Sequence, residues 1–212
     1  MTFKLILLAI FAYLLGNIST GTLVAKYIGK VDIRKTGSGN AGTTNVLRTL
    51  GWVPSLLTLA GDLLKGLIPT LIGKTLFGDA GMVVGALFAV IGHNYPVFYH
   101  FKGGKGIATS WGAILIINPL IALALIVTLV IIVAITKYMS VASITAAIEF
   151  SVLMIILNWN SPNKALFIVF ALVYSALALF AHRSNIARLI NHTENKLDFA
   201  KINKLSSKKK DQ

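Results

Sequence analysis

The sequence predicts an all-α, polytopic membrane protein with seven transmembrane helices, the fourth of them short. Three observations carry that expectation. Hydrophobic residues make up 56% of the 212-residue chain and charged residues only 13%, against about 25% charged in a soluble domain. Mean hydropathy is +0.77. The apolar residues fall into runs approaching the roughly 20 residues that a helix needs to cross a bilayer. So few charges cannot coat a water-soluble globule, and so much apolar surface excludes intrinsic disorder. Residues 1–212 read as one integral membrane domain, with a basic cytoplasmic tail over 197–212.

The first segment covers residues 3–24. It has one lysine near its start and lacks a small-residue cleavage site, so it reads as a retained helix. A polar, glycine-rich stretch follows over 25–51. The second and third segments cover about 52–72 and 81–98. A short glycine-rich stretch, 99–106, precedes an apolar run over 107–136 that is too long for one span. Asn118-Pro119 divides that run, because proline lacks a backbone donor and disfavours helix in the residue before it. The result is a short fourth segment, 107–117, and a fifth, 120–136. The sixth covers 141–157. A turn over 158–163, punctuated by Pro162, leads to the seventh at 165–181, and a basic tail runs from His182 through Lys208, Lys209 and Lys210.

Orientation follows from charge. Of 20 Lys and Arg, sixteen fall on one side of this arrangement, only Lys4, Lys74 and Lys164 on the other, and Lys65 within a segment. The positive-inside rule then places the N-terminus outside and the C-terminus in the cytoplasm. Every glycine-rich polar stretch emerges on that cytoplasmic face, which is where a site is expected. The net charge of +13 also suits an anionic substrate or lipid. There is no cysteine, which removes disulfides and thiol nucleophiles.

Three constellations can carry chemistry. In Gly37-Ser38-Gly39-Asn40-Ala41-Gly42-Thr43-Thr44-Asn45-Val46-Leu47-Arg48, Gly37 and Gly39 permit a backbone nest of amides. Ser38, Asn40, Thr44 and Asn45 add neutral donors and Arg48 a fork for phosphate. No Gly-Lys-Ser/Thr follows, so nucleotide hydrolysis has no support. In Lys102-Gly103-Gly104-Lys105-Gly106 the chain enters an apolar helix, whose N-terminus suits phosphate, with Lys105 as a full charge. In the third block, His182, Asn185 and Arg188 share a helical face, followed by Glu194. Asp62 and Lys65, three apart inside a span, can pair. His93 is ambiguous between a packed polar residue and a base.

In order and spacing, the three blocks resemble the motifs of the bacterial acyl-phosphate-dependent glycerol-3-phosphate acyltransferases, the PlsY family. Ala41, Thr43 and His192 stand where that family often has Pro, Ala and Gly. The resemblance implies transfer of a fatty acyl group from acyl phosphate to glycerol-3-phosphate. The products would be lysophosphatidic acid and phosphate, in phospholipid biosynthesis at the inner (cytoplasmic) membrane. It implies Ser38, Arg48, Lys105, His182 and Asn185 as the catalytic set. Gly37, Gly39, Asn40, Thr44, Asn45, Lys102, Gly103, Gly104 and Glu194 would bind substrate. Either the donor phosphate or His182 would take the hydroxyl proton. No cofactor, metal or nucleic acid is expected. Membrane lipids, and the enzyme that makes acyl phosphate, are the expected partners. Two other classes fit less well: a transporter would show repeats and a midplane site, and a lipid-binding scaffold leaves the glycine motifs unexplained.

Overall fold

A computed structural model describes residues 2–207 and is all-helical over them. Lys208, Lys209, Lys210 and the end of the basic tail at Gln212 lie outside the described residues. Five helical stretches are long and apolar enough to cross a membrane: Thr2–Tyr27, Trp52–Tyr99, Pro119–Thr136, Met139–Leu157 and Lys164–Ala181. Their outer faces expose large apolar side chains, such as Leu120 at 74% and Ile135 at 77%. Such a surface is stable against lipid and not against water.

The first stretch is not the single rod expected. It divides into α1 (Thr2–Gly16) and α2 (Thr20–Tyr27). At the break, Asn17 Nδ2 donates to the Tyr13 carbonyl at 2.6 Å, and its Oδ1 accepts the Val97 amide at 2.5 Å. The carbonyl of Ile18 accepts from Lys65 Nζ at 2.7 Å as well as from the Thr20 amide at 3.0 Å. Side chains thus replace the helical ladder, as a break at membrane depth requires.

The stretch over 25–51 also contains more structure than a loop. A 3-10 turn, Ile33–Lys35, leads to helix α3 (Thr43–Leu50). Ala25, Ile33, Ala41, Val46 and Leu50 give this region a small core of its own. Arg48 therefore stands on a helix that packing fixes in place.

Helix α4 (Trp52–Asn94) reverses at Gly78, where φ is 62° and ψ −146°. L side chains strongly disfavour that backbone conformation. The two arms, 52–77 and 79–94, return antiparallel, so close that a Cβ on Gly81 would strike the Gly73 carbonyl. Helix α5 (Ile107–Ile117) and helix α6 (Pro119–Thr136) follow. Asn118 caps α6, accepting from the amides of Leu120 at 3.0 Å and Ile121 at 3.2 Å, with proline in the first position. Helices α7 (Met139–Leu157) and α8 (Lys164–Ala181) complete the bundle. Phe150, Phe170 and Tyr174 pack ring against ring beside Ile121 and Leu125 at its centre. Beyond the bundle lie α9 (Arg183–Ile190) and α10 (Phe199–Ser207).

Candidate active site

Three segments that are distant in sequence meet at the end of the bundle where α2, α5 and α8 open into loops. The first is held by Asn45, which is 2% exposed. Its Nδ2 donates to the carbonyls of Ile33, Thr36 and Asn40 at 3.1, 3.0 and 2.9 Å, and its Oδ1 accepts the Ser38 amide at 2.9 Å. The backbone circles this carboxamide with Gly37 and Gly39 at φ of 58° and 72°. The amide nest expected here is thus filled from within. The Gly39 amide donates to the Thr36 carbonyl, and the Gly42 amide to Asn40 Oδ1 at 2.8 Å. Asn45 shapes the loop from beneath, and Thr44 sits in the first turn of α3.

The second segment is the turn before α5. The Gly103 and Gly104 amides donate to the carbonyls of Asn94 and His93 at 3.2 and 3.1 Å. They too are spent inside the protein. Gly104 lies against the Nε2 edge of the His93 ring, which a Cβ would strike. His93 is a packed polar residue, its Nδ1 3.7 Å from Asp62 Oδ1. Gly106, at φ 78°, starts α5. What the turn presents outward is the ammonium of Lys105.

The third segment runs from His182 to Asn195. Lys105 Nζ donates to Asn185 Oδ1. Asn185 Nδ2 donates to Glu194 Oε1, and Arg188 Nε to Glu194 Oε2, both at 2.8 Å. Arg48 Nη2 donates to the Asn195 carbonyl at 2.9 Å, while its Nε is buried without a partner. Arg48, Lys105 and Arg188 therefore surround a single carboxylate.

Burial in this cluster holds Lys105 down at about 8, lowered further by Arg188 and Arg48 and partly restored by Glu194. Burial also lowers Arg48, again against the pull of Glu194. His182, only 3% exposed, is pushed down to about 4, by burial first and the Lys105 charge second. Its Nδ1 lies 2.8 Å from the Ala178 carbonyl. A carbonyl only accepts, so Nδ1 carries the proton and Nε2 keeps a lone pair.

Ser38, Gly39, Asn40, Lys102 and Gly103 do not touch this cluster directly. With Arg34 and Ala41 they line an adjoining open cavity of about 280 Å³. Arg34 ties the loops together: its Nη2 donates to the Lys102 carbonyl at 3.0 Å and its guanidinium stacks over Tyr99 at 4.7 Å. Gly37 lies below the cavity, against Asn45. Sequence reasoning missed Arg34, which reads as one more positive-inside charge, and the Asn195 carbonyl, for which side chains give no signal.

Fold and site define a multi-pass membrane protein that gathers a surplus of cations beside one open polar cavity, an arrangement whose chemistry suits an anion. Comparison with known proteins supplies the family. A family described as glycerol-3-phosphate acyltransferase matches residues 6–192. The glycerol-3-phosphate acyltransferase of Thermoanaerobacter pseudethanolicus is 47% identical over 192 residues, covering 91% of this chain and 95% of the relative. That of Clostridioides difficile is 47% identical over 201 residues, covering 92% and 96%. The crystal structure of PlsY (YgiH), an integral membrane glycerol 3-phosphate acyltransferase, in its glycerol 3-phosphate form, superposes with a TM-score of 0.86 at 39% identity, covering 94% of this chain and 98% of that one. Its lysophosphatidic acid form gives 0.82 at 38%. The chain belongs to the PlsY family of membrane glycerol-3-phosphate acyltransferases.

Proposed function

We propose that this acyltransferase takes its acyl group from acyl phosphate and works at the cytoplasmic face of the inner membrane. The observation that carries the reading is a pair of cation groups, the cluster of Arg48, Lys105 and Arg188 around the Glu194 segment and the open cavity lined by Arg34 and Lys102. Two substrates that each bring a phosphate need two such places. The glycerol 3-phosphate and lysophosphatidic acid forms of the solved relatives fit the acceptor and product.

In the reaction the acceptor hydroxyl oxygen bonds to the acyl carbon. The bond from that carbon to the phosphate oxygen breaks, and phosphate leaves with the electron pair. Arg48 and Lys105 neutralise phosphate charge, and Asn185 fixes Lys105. Ser38, Asn40, Gly39, Lys102 and Gly103 bind substrate from the cavity that they line. Asn45, Gly37, Thr44 and Glu194 hold the binding surfaces in place. Two facts favour the leaving phosphate as the proton acceptor. His182 at about 4 is a weak base, and its ring is anchored to Ala178. The donor's maker, whose product is a labile mixed anhydride, is the natural partner.

For topology we read seven crossings, N-terminus outside. Dividing α4 at Gly78 and counting the short α5 gives that number. Reporter fusions after Gly78 and after Gln212 then report opposite compartments, and two cytoplasmic signals would sink it. For the chemistry, purified protein releases one inorganic phosphate per lysophosphatidic acid formed from acyl phosphate and glycerol-3-phosphate. Comparable turnover on palmitoyl-CoA without acyl phosphate would overturn the donor assignment.

A further inference from the structure

The family match ends at residue 192, yet the chain folds on after it. After Glu194 and Asn195, Leu197 donates its amide to the Lys137 carbonyl at 2.8 Å, in the turn between α6 and α7. Leu197 and Ile202, 3% and 1% exposed, bury themselves among Leu47, Val133 and Ala142, on α3, α6 and α7. Helix α10 then closes the corner between α3 and α4. Ser206 Oγ accepts the Trp52 amide at 3.1 Å, and Asn203 Oδ1 accepts Trp52 Nε1 at 3.0 Å. What the sequence presents as a basic tail is, over residues 197–207, a docked strap.

We propose that the Arg48–Lys105–Arg188 cluster receives the acceptor's phosphate and that α10 is a positioning clamp for it. It holds the segment bearing Glu194 and Asn195 against Arg48, Asn185 and Arg188, and so sets the affinity for the phosphate of glycerol-3-phosphate. The strap is pinned on both sides of Arg48: Leu47, its neighbour on α3, contacts the strap's buried residues, and Asn195 takes its Nη2. Arg48 keeps Nε buried and unpartnered, a donor fixed in place before a ligand arrives. Without the clamp, binding would have to order a long side chain and a free segment, which weakens affinity while leaving the bound geometry reachable. Residues 199–207 touch neither reacting group, so they position and do not catalyse.

This inference rests on the acyltransfer reading of the site. The test is steady-state kinetics on the full chain, on a chain ending at Asp198, and on Asn203→Ala/Ser206→Ala, which removes the two contacts to Trp52 and, within α10, the Ser206 Oγ bond to the Ile202 carbonyl. KM for glycerol-3-phosphate should rise roughly 3- to 30-fold on truncation, and in the same direction for the double variant. The kcat should stay near that of the full chain in both, and the detergent melting temperature should stay near the full chain's in the double variant. In a Glu194→Gln background the truncation should add little, because both changes act through one contact set. Unchanged KM in the double variant and in the truncated chain, or full additivity with Glu194→Gln, overturns the clamp. If truncation prevents folding, the double variant decides. Arg48→Ala separates the two ideas: an active Arg48→Ala protein refutes the site itself, whereas an inactive one with a silent strap refutes only the clamp.

Discussion

Two groups of charges in this molecule follow opposite rules. Inside the bundle, Lys65 Nζ lies 2.8 Å from Asp62 Oδ1 and also donates to the Ile18 carbonyl. One cation meets one anion, and both are almost fully buried. At the loop end, Arg48, Lys105 and Arg188 share one carboxylate, that of Glu194. The first group is balanced in charge, one ammonium against one carboxylate. The second is left in deficit of negative charge, and that deficit is what the proposed function uses to attract a phosphate. Charge inside a membrane protein therefore signals function by its imbalance more than by its presence.

The comparison can be broken most forcefully at the balanced pair. Asp62→Asn leaves Lys65 buried without its partner, which costs on the order of 3–5 kcal/mol. Thermal unfolding in detergent should show the loss, and Asp62→Asn/Lys65→Met should recover much of it. A single variant as stable as the parent would mean that the balance does not matter to the fold. At the open cluster the sign is reversed. Arg48→Ala and Lys105→Ala should lose about 3 kcal/mol of transition-state stabilisation, roughly 100-fold in rate. Their melting temperatures should hardly fall, and near-normal turnover in either would refute the assignment.

Titration gives a finer test. Lys105 sits at about 8 in the fold, below its ordinary 10.5. The fold disfavours its charge, so its contribution to stability improves as pH rises from about 8 towards 10.5. Phosphate binding needs that charge, so KM should worsen over the same range. Lys105→Arg should flatten the alkaline KM limb, and a limb that stays put assigns it elsewhere. His182, at about 4 against an ordinary 6.5, contributes stability that is lost as pH falls from about 6.5 through 4. The smallest effect is expected of His182→Gln, which keeps a hydrogen-bonding group and cannot titrate near neutrality. It should cost less than the roughly 100-fold minimum typical of a lost general base. A larger loss, with the acidic limb gone, would make His182 the base.

Much of this was legible in the sequence because the signals were local. Asn118-Pro119 marks a helix boundary whose cap the structure shows, and the three-residue spacing of Asp62 and Lys65 yields the observed pair. His182, Asn185 and Arg188 were readable as one helical face, and α9 with its entry residue bears them. What escaped were arrangements that depend on distant backbone. Asn45 reads as a donor for substrate, yet its amide serves carbonyls 5 to 12 residues back. The break at Asn17 is set by partners at Tyr13 and Val97, the second of them far along the chain. Helix α10 escaped because its buried apolar anchors are only Ile202 and, just before it, Leu197, too few to stand out from the surrounding lysines.

Asn45 carries a consequence for how the protein opens. Four backbone groups between Ile33 and Asn40 converge on its one carboxamide, and the loop has few other ties to exchange them for. Such a loop cannot fray residue by residue. Its protected amides, Ser38, Gly39 and Gly42 among them, should exchange with solvent deuterium in one cooperative step with a common opening energy. The recess lined by Ser38 and Asn40 would then exist whole or be absent, with no half-formed state in which a ligand could bind in the wrong register.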